Sequence, residues 1–191
     1  MMPKRHLSDN DRMFLLRLAR ESIENYVHDK PHPKFDQREL SEILCKEGAS
    51  FVTITIGGYL RGCVGALEPY QSLAEDVREH AIAAACQDYR FPPLSASEVK
   101  DIHIEISYLT RPEVLRYEQP DDLLEILRPN LDGVVIRDGA RRATFLPQVW
   151  EKIPDVEEFL EQLCLKMGAS SDLWRKKKLE VLTYQVEEFH E

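Results

Sequence analysis

The chain has 191 residues, is 43% hydrophobic and carries a formal charge of −9. That length suits one domain, or one with a smaller attached lobe, whose core needs no disulfide or metal to hold it. The acidic balance excludes a general nucleic-acid binder, whose affinity rests on neutralising phosphates, and no apolar run approaches the roughly 20 residues of a membrane span.

The polar start, running to Asp11, has no apolar core of signal-peptide length. Cys45, Cys63, Cys86 and Cys164 are widely separated, without the close spacing of a disulfide framework. A reduced, cytosolic protein is the expectation.

Ser8 or Asp9 can cap a first helix, whose apolar stripe runs through Phe14, Leu15, Leu18, Ile23, Tyr26 and Val27. The run His28-Asp29-Lys30-Pro31-His32-Pro33 ends it, because a residue before proline leaves the helical region. Those prolines also deny His28 and His32 the shared helical face that a metal site would need. Residues 39–46 predict a second short helix, closed by Gly48.

Phe51 to Ile56 is rich in β-branched residues, and Gly57-Gly58 predicts a tight turn into a second strand, Tyr59 to Val64. That strand carries Leu60-Arg61-Gly62-Cys63-Val64-Gly65, a thiol between glycines two residues after an arginine. Strand alternation predicts Arg61 and Cys63 on one face, with Leu60, Gly62 and Val64 on the other. Ser72 and Glu75 have capping-box spacing for a helix with Leu73, Val77, Ala81 and Ala84 on its apolar side and His80 and Cys86 as its chemically interesting members.

The prolines of Gln87-Asp88-Tyr89-Arg90-Phe91-Pro92-Pro93-Leu94 predict a rigid loop, and Ser95 to Glu98 fits a capped helical turn. Ile102 to Leu109 is a strand with isoleucines on one face and His103, Glu105 and Ser107 on the other. Pro120 to Leu127 starts a helix. Residues 132–137 and 142–146 form strands about Asp138-Gly139, and Pro147 to Trp150 breaks the second. Residues 155–167 form a helix capped by Gly168, and residues 179–186 a closing strand. Arg175-Lys176-Lys177-Lys178 reads as a solvated helix end, and Asp132 before Gly133 as turn chemistry. Helices and strands mix without regular alternation, which predicts an α+β fold with a mostly antiparallel sheet.

Residue chemistry supports two uses of the glycine-flanked cysteine. In the first, Cys63 is a nucleophile, Arg61 favours its thiolate or anchors an anionic substrate, and N–H groups around Gly62 and Gly65 receive a developing oxyanion. His80 is then a candidate base, with Glu105 orienting a base or binding substrate. In the second, the strand and the Phe91-Pro92-Pro93-Leu94 loop form a docking groove in which Arg61 and Arg90 recognise a carboxylate or phosphate. No CxxC or HExxH spacing points to a metal, and no cofactor is indicated.

The Leu60–Gly65 run resembles the hallmark of the AMMECR family, in which isoleucine is usual at Val64. The resemblance continues through Asp88 to Leu94, Ile104-Glu105-Ile106-Ser107, Asp132-Gly133-Val134, Phe145 to Trp150 and Lys166-Met167-Gly168, almost the whole chain. The family commonly has proline at Tyr89 and alanine at Met167. The resemblance implies one α+β domain over residues 1–191, with a larger sheet-and-helix lobe and a smaller second lobe. It carries no settled reaction. Microbial members occur alongside a Memo-like protein and a radical-SAM protein, which the resemblance brings forward as partners.

Overall fold

The computed structural model describes residues 6–191, so the start from Met1 to Arg5 lies outside the described residues. Two compact units divide the chain: the larger runs up to Leu109 and regains Glu187–Glu191, and the smaller is Thr110–Val186. Each has its own buried apolar core. Both place antiparallel strands with helices, an α+β fold.

In the larger unit, helix α1 (Asp9–Val27) starts at Ser8, which shares a capping box with Asp11. Ser41 also donates to Asp11, at 2.6 Å, tying the helix start to the segment before helix α2 (Glu42–Cys45). Strand β1 (Glu47–Ile56) begins earlier than its β-branched run suggests. Gly48 lies inside β1 and does not close a helix: a Cβ there would stand 2.8 Å from Leu73, so glycine permits the close approach. Gly57 and Gly58, at φ +58° and +83°, turn the chain into strand β2 (Tyr59–Gly65). The short strand β3 (Gln71–Ser72) leads into helix α3 (Leu73–Cys86), capped by Ser72 as its spacing predicts.

Strand β4 (Ile102–Leu109) pairs antiparallel with β1, and the main sheet has the order β2-β1-β4-β9, where β9 is Val186–His190. Val52, Ile54, Ile104 and Ile106 are fully buried in the core shared with α1 and α3. Thr53, Thr55, His103 and Glu105 alternate to the other face. β2 is an edge strand of this sheet, paired with β1.

The smaller unit contains strand β5 (Glu113–Val114), helix α4 (Leu123–Ile126), strands β6 (Gly133–Asp138) and β7 (Arg141–Phe145), helices α5 (Val156–Lys166) and α6 (Leu173–Lys176), and strand β8 (Glu180–Tyr184), with sheet order β5-β8-β6-β7. Its core stacks Trp150 on Phe159 with ring centroids 3.5 Å apart, and the Trp150 indole donates to the Asp132 carbonyl at 2.7 Å. The Asp132 carboxylate accepts from the Arg128 main chain and guanidinium, so it fixes the turn before β6. The predicted closing strand, residues 179–186, is β8; β9 follows it unexpected and joins the main sheet.

The basic run is spent locally. Arg175 pairs with Glu157, Lys176 with Asp172 and Lys177 with Asp138, while Lys178 lies over the Tyr117 ring. Trp150→Ala is expected to destabilise the smaller unit by about 3–5 kcal/mol, since it removes a fully buried ring and strands the Asp132 carbonyl. Chemical denaturation followed by near-ultraviolet circular dichroism measures the loss.

Candidate functional site

The register of β2 on β1 decides where the hallmark side chains go. Val64 pairs with Val52, Cys63 with Thr53 and Gly62 with Ile54, but Leu60 then pairs with Thr55. Arg61 is the extra residue of a β-bulge. Paired residues share a face, so Leu60 joins Cys63 on the Thr53–Thr55 side, contrary to simple alternation. Arg61 does not lie beside the sulfur. It turns to the loop after α3, where its Nε donates to Glu98 at 2.8 Å and its terminal nitrogens to the Pro92 and Pro93 carbonyls. This hydrogen bond from Arg61, helped by those from Ser95, pulls the Glu98 carboxyl down to about 2.

The charged group that reaches Cys63 is Arg90, and it does so at the main chain. Its guanidinium is bidentate on Asp88, at 2.8 and 2.6 Å, and reaches the Cys63 carbonyl at 3.5 Å. Asp88 in turn accepts the Cys63 N–H at 2.9 Å. The hydrogen bond from Arg90 holds the Asp88 carboxyl well below the usual carboxylate range, and the Cys63 N–H adds to the effect. The hydrogen bond to Asp88 raises the Arg90 guanidinium above its ordinary value.

Cys63 is half-buried, and the Thr53 hydroxyl donates to its sulfur at 3.3 Å. Thr53 pairs on its other side with Glu105, so Cys63, Thr53 and Glu105 form one row across three strands. Two strand spacings separate the main chains at the ends of the row by about 10 Å across the sheet. Glu105 can therefore share a ligand with Cys63 but does not touch the thiol.

His80 sits on the opposite side of the sheet. It is 6% exposed, and its Nδ1 lies 3.2 Å from Asp76, which also accepts from Ser50 at 2.6 Å. Ser50 shares the Val52–Ile54 face, so the sheet stands between His80 and the thiol, and the two are not brought together. The hallmark glycines are explained by packing. A Cβ on Gly62 would stand 2.1 Å from the Ala84 carbonyl oxygen of α3, and one on Gly65 would meet the Ser50 carbonyl oxygen at 2.3 Å and the Phe51 ring at 2.4 Å. The chain itself fills the space they leave.

Asp88, Glu98 and Thr53 were not among the expected site residues. Gly62 inside a strand was the available sign of a bulge. Asp88 and Glu98, 25 residues from Cys63 and 37 from Arg61, had no local sign. Among the described residues no three His, Cys, Asp or Glu side chains are grouped to hold a metal ion. No helix is long and apolar enough to cross a membrane among them.

With this geometry in view, the AMMECR1 family profile matches residues 16–189. The chain belongs to the AMMECR1 family. A protein of Methanothermobacter thermautotrophicus is 35% identical over 190 residues, covering 97% of this chain and 96% of its own. One from Methanocaldococcus jannaschii is 36% identical, with 93% and 89% covered. The crystal structure of the Pyrococcus horikoshii protein PH0010 matches with a TM-score of 0.77 at 31% identity, over 97% of this chain and 93% of that one.

Gly62→Ala is expected to destabilise the larger unit by about 1–3 kcal/mol, because main chain must move to admit the methyl group. A thermal melt measures it. The lowered carboxyls of Asp88 and Glu98 also set a pH dependence. Their contribution is complete above the unfolded values of 3.8 and 4.5 and is lost as pH falls through the folded ones, about 2 for Glu98. The melting temperature should therefore fall steadily from pH 5 to pH 2, and less steeply in Asp88→Asn/Glu98→Gln.

Proposed function

We propose that the larger unit is a thiol-chemistry module in which Cys63 forms a covalent adduct with an electrophilic group of a small ligand. The observation that carries this reading is the fixation of Cys63. Its N–H and C=O are both engaged by the Asp88–Arg90 pair, while its sulfur accepts a hydrogen bond from Thr53. The pair holds the main chain of the cysteine still, and the Thr53 hydroxyl fixes the direction of its sulfur, so the nucleophilic atom is positioned for attack. Arg90, not Arg61, is the arginine that reaches the cysteine. Glu105, in the same row, contacts the ligand rather than the thiol. His80, paired with Asp76 across the sheet, has no direct part.

A non-catalytic adaptor is the second reading, and one observation favours it. Arg61, Glu98, Asp88 and Arg90 spend their charges on one another and build a rigid surface, on which Tyr89 is 96% exposed. In that case Cys63 matters for its size. A Memo-like and a radical-SAM protein are the proposed partners in either reading, resting on the family resemblance. Four free cysteines support a reducing, cytoplasmic setting.

Iodoacetamide labelling at pH 7, read site by site by mass spectrometry, separates the readings. Cys63 should react faster than the exposed Cys45 of the same molecule, and Arg90→Ala should slow it by about 3–10-fold. Reaction at Cys45-like rates, unchanged in Arg90→Ala and Thr53→Val, would remove the thiol chemistry and leave the adaptor.

A further inference from the structure

The face of the main sheet that carries Thr53 and Glu105 holds a second group of side chains that the thiol reading does not use. His103 of β4 and His190 of β9 are both exposed, on neighbouring strands, with ring centroids 5.4 Å apart and planes inclined at 47°. The Glu191 N–H donates to the Ile104 carbonyl at 3.2 Å, which holds this end of β9 against β4. Phe189 is buried in the core, so His190 alternates to the face that bears His103.

The two rings have the separation of imidazoles that share an ion. A metal bonded to an imidazole nitrogen at about 2.0–2.1 Å lies about 3.2 Å from the ring centroid, so two imidazoles on one tetrahedral ion hold their centroids about 5.2 Å apart. The observed 5.4 Å is close to that value. The tautomer of His190 is also suitable. Its Nδ1 lies 2.9 Å from the Glu191 carbonyl oxygen, which can only accept, so Nδ1 carries the proton and the Nε2 lone pair is left to coordinate. A carbonyl behind the ring is the usual outer support of a metal-bound histidine.

We infer that His103 and His190 form a two-imidazole site for a borderline divalent ion such as zinc, nickel or copper, with water completing the coordination. Imidazole ligands select these ions over magnesium and calcium, which require oxygen. Glu105 follows His103 by two residues on the same face and adds negative charge to the site without joining the ligands. The site rests on neither the reactivity nor the protonation of Cys63.

The test is calorimetric titration of the untagged full chain with zinc chloride and nickel chloride at pH 7.5. Nickel broadening of the His103 and His190 imidazole signals is followed in parallel by nuclear magnetic resonance. One ion per chain is expected, with affinity falling about tenfold or more in His103→Gln and in His190→Gln alike. Both side chains are exposed, so the variants should keep the wild-type melting temperature. Affinity unchanged in either variant, or lost in Cys63→Ser, would overturn the site, the last by putting the ion on the thiol.

Discussion

One ion pair sets the terms for the hallmark strand. An edge strand presents main-chain donors and acceptors to whatever strand comes next, and proteins must block or satisfy them. At Cys63 the block is made from side chains. The Asp88 carboxylate takes the N–H, the Arg90 guanidinium reaches the C=O, and the two side chains clasp each other bidentately. The pair imitates a neighbouring strand for one residue and no further. Charge-assisted bonds of this kind are shorter and stronger than an ordinary ladder bond.

The other charged residues extend the same constraint. The bulge releases Arg61 from the ladder, and its guanidinium gathers Glu98 and the carbonyls of Pro92 and Pro93. The loop after α3 is thus fastened to β2 at both ends, by Asp88 near its start and Glu98 near its finish. Gly62 lets the strand approach the Ala84 main chain closely enough for those short side chains to reach. Arginine, glycine and cysteine are therefore adjacent for three different reasons. One ties the loop, one admits the helix, and one offers its main chain to the ion pair and its sulfur to the opposite face.

Much of this architecture was legible in the sequence, because it rests on local rules. The Ser8 and Ser72 caps, the Gly57-Gly58 turn and the alternation of Ile102 to Leu109 each follow from residues within one turn or one strand. What escaped depends on distance. A bulge adds a single residue and reverses the faces beyond it, so Arg61 and Cys63 part company although their spacing says otherwise. His80 belongs to a helix rightly placed, but which side of the sheet that helix covers is a tertiary fact. Gly48 looked like a helix stop and is a contact with Leu73. The closing strand read over residues 179–186 stops where β8 does, and β9 was missed, since nothing local shows that Val186–His190 returns to the other sheet.

The return of β9 to the main sheet has a consequence for how the molecule is made. β4 and β9 are neighbours in the main sheet, yet all of residues 110–185 are translated between them. At ribosomal speeds those residues take about 4–15 s to synthesise, far longer than a helix or hairpin needs to form. For that interval β4 is itself an edge, and its outward Ile104 N–H and C=O wait for Glu191, which arrives with its carboxylate bound for Arg20. The larger unit is begun first and finished last, and the smaller unit is folded inside a sentence whose final word has yet to be spoken.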